Sequence, residues 1–435
     1  MKNADIIDNV LSKLKQFDQL HFVGFDGFLM GRFYSVTYDE IIGNYKSEKN
    51  VFLLLLKIII RCFIRDYSYE FSSLSKKKLL LFYSHEHARR KDYSSFMEDI
   101  LCLIDDAIIL TGNDTKKKLV FSKDSFVNLL YLPKWFKTIS KVEHNKCDAL
   151  YLLHKVSMGY RWKKILDYNW DSCLGHFKGI ITIFDAREYE NILTQFARSK
   201  GVNTATLQHG YYPVQDKEGL DMAIPYTGFV SDQLWVWGNY CKENAVLSGM
   251  PPQKVYPLGY PKKILKIQNM GPINTGYLGV ILDGGELLRP YNTEMISIAI
   301  EVARKHRYTI VLKPHPHDRY DYSMMIPNDV ASSISIENIA DYGGKVDFSI
   351  CCASSCYIDL LALGCIVYRY INPQGVSFYD RLDEKDSFSS LEDLECILQK
   401  GDKYINNVNR ELLLGNSASV LENYKNAANK LISSF

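Results

Sequence analysis

The sequence lacks an apolar stretch long enough to cross a membrane. Its longest apolar run, Val51 to Phe63, is interrupted by Lys57 and Arg61, whereas a membrane-spanning helix needs about 20 apolar residues. The run therefore predicts a helix buried in the protein, and a helix lying on a membrane surface is the alternative. The N-terminal residues include acidic and polar side chains throughout, which is not the pattern of a signal peptide. We expect a cytoplasmic protein, with peripheral attachment at the inner face of the membrane left open.

The chain also lacks an excess of charge and a metal-binding arrangement of cysteines. It has 52 basic and 50 acidic residues and a net charge of +2, so the charge balance does not indicate a nucleic-acid partner. The 10 cysteines are scattered, and Cys351, Cys352 and Cys356 have neither a second pair nor a histidine to complete four zinc ligands. This pattern favours reduced, buried thiols in a cytosolic protein over a zinc site.

What the sequence does contain is an alternation of strands and helices typical of α/β domains. Its 435 residues are too many for one ordinary core and suit two domains of about 200 residues each. Gly179 to Ala186 predicts a strand, Arg187 to Lys200 an amphipathic helix and Val202 to Leu207 a second strand, the pattern of a parallel crossover. Ligands bind beyond the carboxyl ends of such strands. His209 is therefore a candidate catalytic imidazole and Gln208 a candidate acceptor contact.

Two earlier segments also place polar residues at the ends of predicted strands. His21 to Gly27 predicts a strand and its turn, which makes Asp26 a candidate catalytic residue, with a plain turn residue as the alternative. Lys78 to Tyr83 predicts a buried strand, and His85 and Glu86 follow it as candidate acceptor contacts. The spacing in this second segment is not that of an HExxH zinc motif.

A helical stretch rich in tryptophan, tyrosine and lysine extends from Tyr131 to Trp170. Its composition suits a membrane headgroup layer or a sugar-stacking surface. We favour a third interpretation, in which the stretch is a helical layer that covers the sheet.

Three loops with polar residues follow predicted strands in the second half of the chain. The first loop is Asp283-Gly284-Gly285-Glu286. Its glycines allow close approach of the backbone and its acids can accept hydrogen bonds from hydroxyls, so Gly284, Gly285 and Glu286 are candidate donor contacts. The strands that precede the three loops are predicted at Tyr277 to Leu282, Tyr308 to Leu312 and Val346 to Cys351.

The second loop, Lys313-Pro314-His315-Pro316, is the most specific of the three. Each proline biases the residue before it to an extended conformation, so the side chains of Lys313 and His315 lose little freedom on binding. A fixed cation beside an imidazole suits a diphosphate that gains charge as its bond to a sugar breaks. Lys313 is therefore a candidate donor contact and His315 a candidate catalytic residue.

The third loop places Ser354 and Ser355 at the start of a predicted helix, Cys356 to Leu363. Hydroxyl groups and free backbone N–H groups at a helix N-terminus form an anion site, although a simple helix cap explains the serines equally well. Asp359, one turn into the helix, could accept a hydrogen bond from a ribose hydroxyl. We include all three residues among the candidate donor contacts.

Together these features predict two Rossmann-like α/β domains that face each other across a cleft. A nucleotide-activated donor would bind the second domain, an acceptor hydroxyl the first, and domain closure would exclude water. His209 would act as general base or contact the donor phosphate, and the sequence leaves both roles open. The expected boundaries are an acceptor-binding domain at 1–262, a nucleotide-sugar-binding domain at 263–415 and a C-terminal helix at 416–435. The polar segment from Lys262 to Thr275 is the predicted linker, and the C-terminal helix is expected to pack back across it.

Five runs of the sequence form a recognisable set: LQHGYYPV, SDQLWVWG, GMPPQKVYPLGYPK, VLKPHPHD and CCASSCYIDLLALGCIVYRY. Together they resemble bacterial glycosyltransferases of the GT-B fold that assemble surface polysaccharides. That family includes capsule and O-antigen transferases and, more distantly, polysialyltransferases and the CDP-glycerol glycerophosphotransferases of teichoic acid synthesis. The resemblance covers roughly residues 179 to 372.

The resemblance implies that His209 and His315 are functionally important and that Ser354 and Ser355 hold the donor phosphate. It also implies an enzyme that needs no metal ion and no cofactor, with a nucleotide sugar and a lipid-linked or oligosaccharide acceptor as partners. The absence of a DxD motif at a strand end agrees with this expectation.

Two departures from the glycerophosphotransferase pattern favour a sugar donor. That group usually continues its HG motif with Thr-Pro-Leu-Lys, where this chain has Tyr211-Tyr212-Pro213-Val214. It also carries a proline-threonine turn where this chain has Asp283-Gly284-Gly285-Glu286. The latter loosely resembles the acidic-acidic-glycine motif of bacterial sialyltransferases, which leaves a CMP-linked donor open.

The sequence therefore predicts glycosyl transfer from a nucleotide-activated sugar to a growing cell-surface glycan. Transfer of an alditol phosphate from CDP-glycerol or CDP-ribitol is the alternative among enzymes. A non-catalytic protein of the same fold that binds glycans or nucleotides is the alternative of another class.

Overall fold

Two sheets with helices packed against them organise the chain, and they fall in two separate units. The predicted class, two Rossmann-like α/β domains, is confirmed by these sheets. Unit 1 comprises Met1–Val236, Lys242–Pro261 and Ala418–Phe435, and unit 2 comprises Trp237–Cys241 and Lys262–Ser417. The structure, a computed structural model, describes residues 3–42, 51–89, 91–210, 224, 228–262, 275–284, 288–316, 318, 320–372, 379, 381–399 and 406–433. Most of the predicted linker, residues 263–274, lies outside this set.

The sheet of unit 1 is parallel except at one edge. Its described strands are β1 (Ile64–Tyr69), β2 (Leu79–Tyr83), β3 (Ala107–Leu119), β4 (Gly179–Ile183), β5 (Asn203–Leu207), β6 (Gln233–Val236) and β7 (Val255–Pro257). They lie in the order β1-β3-β2-β4-β5-β6-β7, with β1 antiparallel to β3 and the other neighbours parallel. β2 and β4 are buried at every residue, as expected for central parallel strands that are covered on both faces.

The helices of unit 1 pack around α7, the longest of those described. They are α1 (Asn3–Asp18), α2 (Met30–Ile42), α3 (Val51–Arg61), α4 (His85–Ala88), α5 (Lys91–Leu103), α6 (Lys123–Ile139), α7 (Lys146–Asn169) and α8 (Glu188–Ser199), with α9 (Asn239–Leu247) divided between the units. α2, α3, α6 and α8 all contact α7. Trp135 and Trp162 are fully buried, and their indole N–H groups donate to the carbonyls of Val23 and Tyr189, both at 2.9 Å. The ring of Trp162 also lies 4.6 Å from that of Tyr69 in β1 and 5.7 Å from that of Phe82 in β2, so α7 lies against the sheet, as the favoured interpretation of the aromatic stretch expects.

The predicted strand at His21 to Gly27 is wrong. The segment forms two turns, in which the N–H of Phe25 donates to the carbonyl of Phe22 at 2.9 Å and the N–H of Phe28 donates to that of Phe25 at 3.0 Å. These three phenylalanines are buried, so the apolar period is three residues and not the two of a strand. Asp26 therefore does not stand at the end of a strand.

The predicted burial of the apolar run after Val51 is also wrong. α3 is a helix, but among its residues only Leu54 and Ile58 are buried. An apolar run indicates burial only where a second element covers it, and here α7 covers a single stripe of the helix.

The sheet of unit 2 has the strand order of a dinucleotide-binding fold. Its described strands are β8 (Tyr277–Ile281), β9 (Thr309–Lys313), β10 (Ser332–Ile334), β11 (Phe348–Cys351), β12 (Val367–Tyr370) and β13 (Ser387–Phe388). All neighbours are parallel, in the order β10-β9-β8-β11-β12-β13. The chain thus places its first three strands outward on one side and the next three on the other, which is the 3-2-1-4-5-6 arrangement.

The helices of unit 2 follow the predicted alternation. They are α10 (Arg289–His306), α11 (Ile339–Gly343), α12 (Cys356–Leu363), α13 (Leu391–Gln399) and α14 (Asn407–Leu414). Pro290 lies in the first turn of α10, where a proline removes no helical hydrogen bond. α12 ends at Gly364, whose φ of +79° is left-handed and suits glycine.

The C-terminal helix α15 (Val420–Ser433) belongs to unit 1. The side-chain amide of Asn203 donates to the carbonyl of Leu431 at 2.9 Å, and the ring of Tyr424 meets that of Trp235 edge-on at 5.9 Å. A Cβ at Gly179 would lie 3.1 Å from the Leu431 side chain. α15 therefore packs directly against strands of the first sheet.

Across the part of the chain that is described, no helix combines the length and the apolar character that a membrane span requires.

Candidate active site

The order in which the chain adds strands to the unit 2 sheet reverses between β8 and β11. β8 is flanked by β9 on one side and by β11 on the other, and the chain visits β9 and β10 before it returns to β11. This is the topological switch point, where the loops diverge and ligands bind. Asp283 and Gly284 follow β8 there, and Ala353 and Ser354 follow β11.

Asp283 joins the two loops at this switch point. Its carboxylate accepts a hydrogen bond from the backbone N–H of Ala353 at 2.9 Å, and its backbone is bonded in both directions to the Asn292 side chain. The carboxyl is buried. Burial raises the pKa of Asp283 to about 7, and the bond from Ala353 opposes that shift only in part. A carboxyl group that titrates near neutrality at a ligand-binding edge is a functional candidate.

His315 and Gly284 are brought into direct contact. A Cβ added to Gly284 would lie 2.6 Å from His315 Nδ1 and 2.8 Å from Cγ, so the exposed imidazole rests on the glycine backbone. The loops that follow β8 and β9 are also linked by side-chain hydrogen bonds. Asn292 donates to the Tyr322 hydroxyl at 2.8 Å, and that hydroxyl donates to Asp318 at 2.9 Å. The sequence motifs at 283 and 313 therefore form one surface.

Lys313 is oriented differently from His315. Its ammonium group donates to the carbonyl of Glu337 at 2.5 Å and lies 5.4 Å from the centre of the Tyr342 ring. Burial lowers the pKa of Lys313, and its interaction with Cys356 opposes that change. Lys313 therefore lies near the first residue of α12 and contributes positive charge there, with its amine already hydrogen-bonded.

The N-terminus of α12 is the second part of the predicted phosphate site. The Ser354 hydroxyl accepts from the N–H of Cys356 at 3.3 Å, whereas Ser355 is exposed and makes no cap hydrogen bond with its side chain. Asp359 forms an ion pair with Lys262 at 2.7 Å, so its carboxylate is engaged by a lysine. Lys262, which the sequence analysis assigned only to the linker, is thus a second cation at this helix.

The equivalent edge of unit 1 carries a strained residue and a half-buried imidazole. Phe184 follows β4 with a φ of +53°, a left-handed conformation that is costly for a bulky residue and is typical of functional sites. His209 follows the neighbouring strand β5, and its ring lies 4.5 Å from that of Phe184 and 5.6 Å from that of Tyr93. Gln208 is buried and donates to the carbonyl of Gly210 at 2.7 Å. Gln208 therefore shapes the loop that carries His209.

The two histidines after β2 are held by different partners. His85 is buried, with Nδ1 3.5 Å from the Tyr69 hydroxyl and its ring 4.9 Å from that of Tyr189. His87 lies 2.8 Å from Glu190 through Nδ1, and its ring meets that of Tyr93 at 5.1 Å. Burial alone would raise the pKa of Glu190, but the interaction with His87 and hydrogen bonds from Ser84 lower it. Tyr93 thus contacts both His87 and His209.

Glu86 belongs to a buried network of charges. Lys155 forms ion pairs with Glu188 at 2.6 Å and with Glu40 at 2.9 Å. Burial opposes ionisation of Glu188, but Lys155 and Arg187 lower its pKa to about 2. Burial and the charge of Glu188 raise the pKa of Glu86. The network therefore combines the cations Lys155 and Arg187 with two acids whose pKa values are shifted in opposite directions.

Asp185 is the counterpart of Asp283 in unit 1, two residues beyond the end of its strand. Its carboxylate accepts from the N–H groups of Val230 at 3.1 Å and Ser231 at 2.7 Å, and from the Ser231 hydroxyl. Burial raises the pKa of Asp185 to about 6, and these donors oppose the shift.

The fold has remote counterparts among solved structures. No family model matches the chain, and no curated protein matches it. A UDP-GlcNAc 2-epimerase from Methanocaldococcus jannaschii has a TM-score of 0.47 and 10% identity, and the match covers 79% of this chain and 97% of the epimerase chain. The lipopolysaccharide outer core galactosyltransferase WaaB has a TM-score of 0.44 and 9% identity over 82% of this chain and 99% of its own. Anabaena HepE, in complex with UDP and glucose, has a TM-score of 0.42 and 8% identity over 81% and 95%. The chain is similar to these proteins only at this level.

The predicted site residues separate into those that the structure groups and those that it does not. Gly284 and His315 are in contact, and Lys313 lies near the α12 N-terminus that Ser354 and Ser355 form. Asp26 is 81% exposed and its carboxylate lies 3.6 Å from Nδ1 of His21, and the strand on which its selection rested is absent. Gly285 and Glu286 lie outside the described residues.

Four residues of interest were not predicted from the sequence: Lys262, Asp283 as a titrating group, Phe184 and Glu190. A signal was available for Asp283, since it stands two residues after a strong strand. The partners of Glu190 and Lys262 lie 103 and 97 positions away along the chain. A pattern of neighbouring residues does not predict contacts over such sequence separations.

Proposed function

We propose that the chain is a glycosyltransferase that moves a sugar from a nucleotide-activated donor to a hydroxyl of a growing bacterial cell-surface glycan, without a metal ion. The observation that carries the proposal is the switch point of unit 2, where the first and third loops meet through Asp283 and the second rests on Gly284 through His315. The surface-polysaccharide acceptor is supported by the sequence runs described above.

The donor phosphates are assigned to the α12 N-terminus and its cations. Free N–H groups at a helix N-terminus attract anions, and Ser355 adds an exposed hydroxyl. Lys313 and Lys262 supply positive charge next to this terminus. A protein with a net charge of only +2 needs such a local arrangement to bind a diphosphate.

His315 and Gly284 are assigned to the leaving group. A glycine lets the ligand or the imidazole approach the backbone closely, and the exposed ring of His315 can donate a hydrogen bond to a phosphate oxygen of the bound donor. Asp283 precedes Gly284 in the loop, and its raised pKa limits the negative charge that it adds near the phosphates.

His209 is assigned to the acceptor proton. Its ring is fixed by Phe184 and Tyr93, and an imidazole in a half-buried setting suits proton transfer near neutral pH. His85 and Glu86 are proposed as acceptor contacts of the same edge, and the lipid-linked or oligosaccharide acceptor supplies the hydroxyl.

A donor panel tests the proposal directly. The purified chain is incubated in EDTA with UDP-, GDP-, dTDP- and CMP-linked sugars and with CDP-glycerol and CDP-ribitol, and nucleotide release is measured. We expect release from a sugar nucleotide by the wild type and the surface control His144→Ala, and loss of release in His209→Ala. In His315→Ala we expect reduced release at donor concentrations below the KM of the wild type.

Each other outcome identifies a different function. Consumption of CDP-glycerol or CDP-ribitol alone would make the chain an alditol-phosphate transferase. Binding of a nucleotide or glycan by calorimetry without turnover of any donor would make it a binding protein. Release that stops in EDTA and returns with Mg²⁺ would contradict the metal-independent reaction.

A further inference from the structure

Helix α3 exposes most of its apolar side chains. Leu54 and Ile58, one turn apart, are the buried pair among its residues, so the remaining circumference of an almost wholly apolar helix faces outward. Isolated apolar residues on a surface need no explanation, whereas a contiguous apolar patch marks an interaction site. The exposed large apolar residues of α3 are Val51, Phe52, Leu53, Leu55, Leu56 and Ile60.

The exposed surface continues from α3 onto α6. The ring of Phe63, just after α3, lies 5.3 Å from that of Phe121 and 5.6 Å from that of Phe126, both of which are exposed. Leu130 follows Phe126 by one helical turn and is 70% exposed. We call α3, Phe63, Phe121, Phe126 and Leu130 together the apolar face; all of it lies in unit 1.

Lysines accompany the apolar face along both helices. Lys57 is exposed in α3, and Lys118 is exposed beside Leu119 at the end of β3. On α6, Lys123, Lys134 and Lys137 are exposed at the spacing of the helical side that carries Phe126 and Leu130. The carboxylate of Asp124, in the first turn of α6, accepts a hydrogen bond from the Tyr168 hydroxyl at 2.7 Å.

We propose that the apolar face docks on a lipid bilayer that contains anionic phospholipid. A helix with apolar and aromatic residues on one side and lysines at its margin lies in the plane of the membrane interface, its apolar side among the acyl chains and its cations at the headgroups. The 11 residues of α3 are too few to span a bilayer, so the contact is peripheral. This inference is independent of the proposed reaction.

The charge of the apolar face favours a membrane over a second copy of the chain. A symmetric dimer places the same patch of both copies together, and it would set these lysines against each other. Like charges that face each other across an interface are unfavourable. An anionic bilayer instead meets the same lysines with opposite charge.

Vesicle flotation with the full chain tests the proposal. Wild type is mixed with phosphatidylcholine vesicles containing roughly 30% phosphatidylglycerol, and with pure phosphatidylcholine vesicles. The α3 variant carries Leu55→Ser, Leu56→Ser and Ile60→Ser. Its matched control carries three changes to exposed apolar residues of unit 2, Met324→Ser, Ile334→Ser and Ile336→Ser.

We expect wild type and control to float with the anionic vesicles and the α3 variant to require at least about tenfold more lipid. A second variant, Phe126→Ser with Leu130→Ser, changes more exposed residues and answers the test if the α3 variant does not fold. Changing Lys123, Lys134 and Lys137 to Gln should weaken binding to anionic vesicles by roughly fivefold per lysine and leave binding to neutral vesicles unchanged.

Two results would overturn the proposal. The first is wild type that floats with neither kind of vesicle, or variants of the apolar face that float as well as the control. The second is a wild-type dimer in sedimentation velocity that the α3 variant converts to monomer and that binds no vesicles, since the apolar face would then be covered by a second copy.

Discussion

The two units carry histidines at the same edge of similar sheets, but they hold them in opposite ways. In unit 1, His209 is fixed by the rings of Phe184 and Tyr93, and His87 by the carboxylate of Glu190. In unit 2, His315 is exposed and rests on a glycine. A group that moves a proton benefits from a fixed orientation, whereas a site for phosphates needs open backbone and accessible donors. The difference supports proton transfer by unit 1 and donor binding by unit 2.

The buried carboxyls show the same contrast. Asp185 and Asp283 both stand two residues beyond a central strand, but three donors reach the carboxylate of Asp185, and the described contact to that of Asp283 is one backbone N–H. Burial therefore disfavours the charged carboxylate in both units, but less strongly in the first, with pKa values of about 6 and about 7. A site that receives an anionic ligand gains from a neutral neighbour.

The largest expected effect is on turnover in unit 1. His209→Ala should lower kcat by about 10² to 10⁴ if the imidazole takes the acceptor proton, with the KM for the donor nearly unchanged. Steady-state kinetics with the donor identified by the panel, together with a thermal melt, measure this. His144→Ala is the control, and a donor KM that rises as much as kcat falls would assign His209 to donor binding instead.

A smaller effect, on the KM for the donor and not on kcat, is expected from unit 2. His315→Ala should raise the KM for the donor by about 10- to 100-fold, the range for the loss of one charge-assisted hydrogen bond to a phosphate. His306→Ala, at the far end of α10 from the Asp283 loop, is the matched control. If the variant instead loses kcat at unchanged KM, the assignment of roles to the two units is reversed.

Gly284→Ala should have a milder effect on the same binding step. The new Cβ would lie 2.6 Å from His315 Nδ1, so the ring must turn away from the loop, and we expect the donor KM to rise roughly tenfold. Gly344→Ala is the control, because its nearest neighbours would be at an ordinary 3.5 Å. Equal KM values for the two variants would show that the contact between His315 and the glycine has no part in binding.

Much of the fold could be predicted because the central strands are short apolar runs bounded by glycine or polar residues. β2, β4, β8 and β11 were located in this way. β10 was not, since all three of its residues are exposed, and β13 has only two. Sequence periodicity reports burial, and an element without buried residues leaves no such signal.

The candidate site could be predicted at the level of loops but not of contacts. The three loops of unit 2 were identified because each follows a strand, and parallel strands bring their carboxyl ends together. That Lys313 donates to the Glu337 carbonyl and that Lys262 pairs with Asp359 depends on packing between distant segments. The exposure of α3 was not predicted for the same reason: an apolar run in the sequence does not show which other element packs on it.

The smallest effect expected is on the pH dependence of stability, and it differs in size between the two units. Folded Asp283 keeps its proton up to about pH 7, whereas an unfolded aspartate releases it near pH 4. Between these values the folded state binds more protons, so stability falls as the pH rises from 4 to 7. Asp283→Asn removes this titration, and calorimetry should show that the melting temperature of the variant relative to wild type is about 3 °C higher at pH 8 than at pH 5.

Asp185→Asn should give a smaller rise in melting temperature relative to wild type between pH 5 and pH 8, because the pKa of Asp185 is raised only to about 6. The new amide donor would also take the place of an oxygen that has no partner among the described residues. A buried donor without an acceptor costs about 1 to 3 kcal/mol, and this cost lowers the melting temperature at both pH values. A rise between pH 5 and pH 8 as large as that for Asp283→Asn would show that the three donors to Asp185 do not favour its charged form.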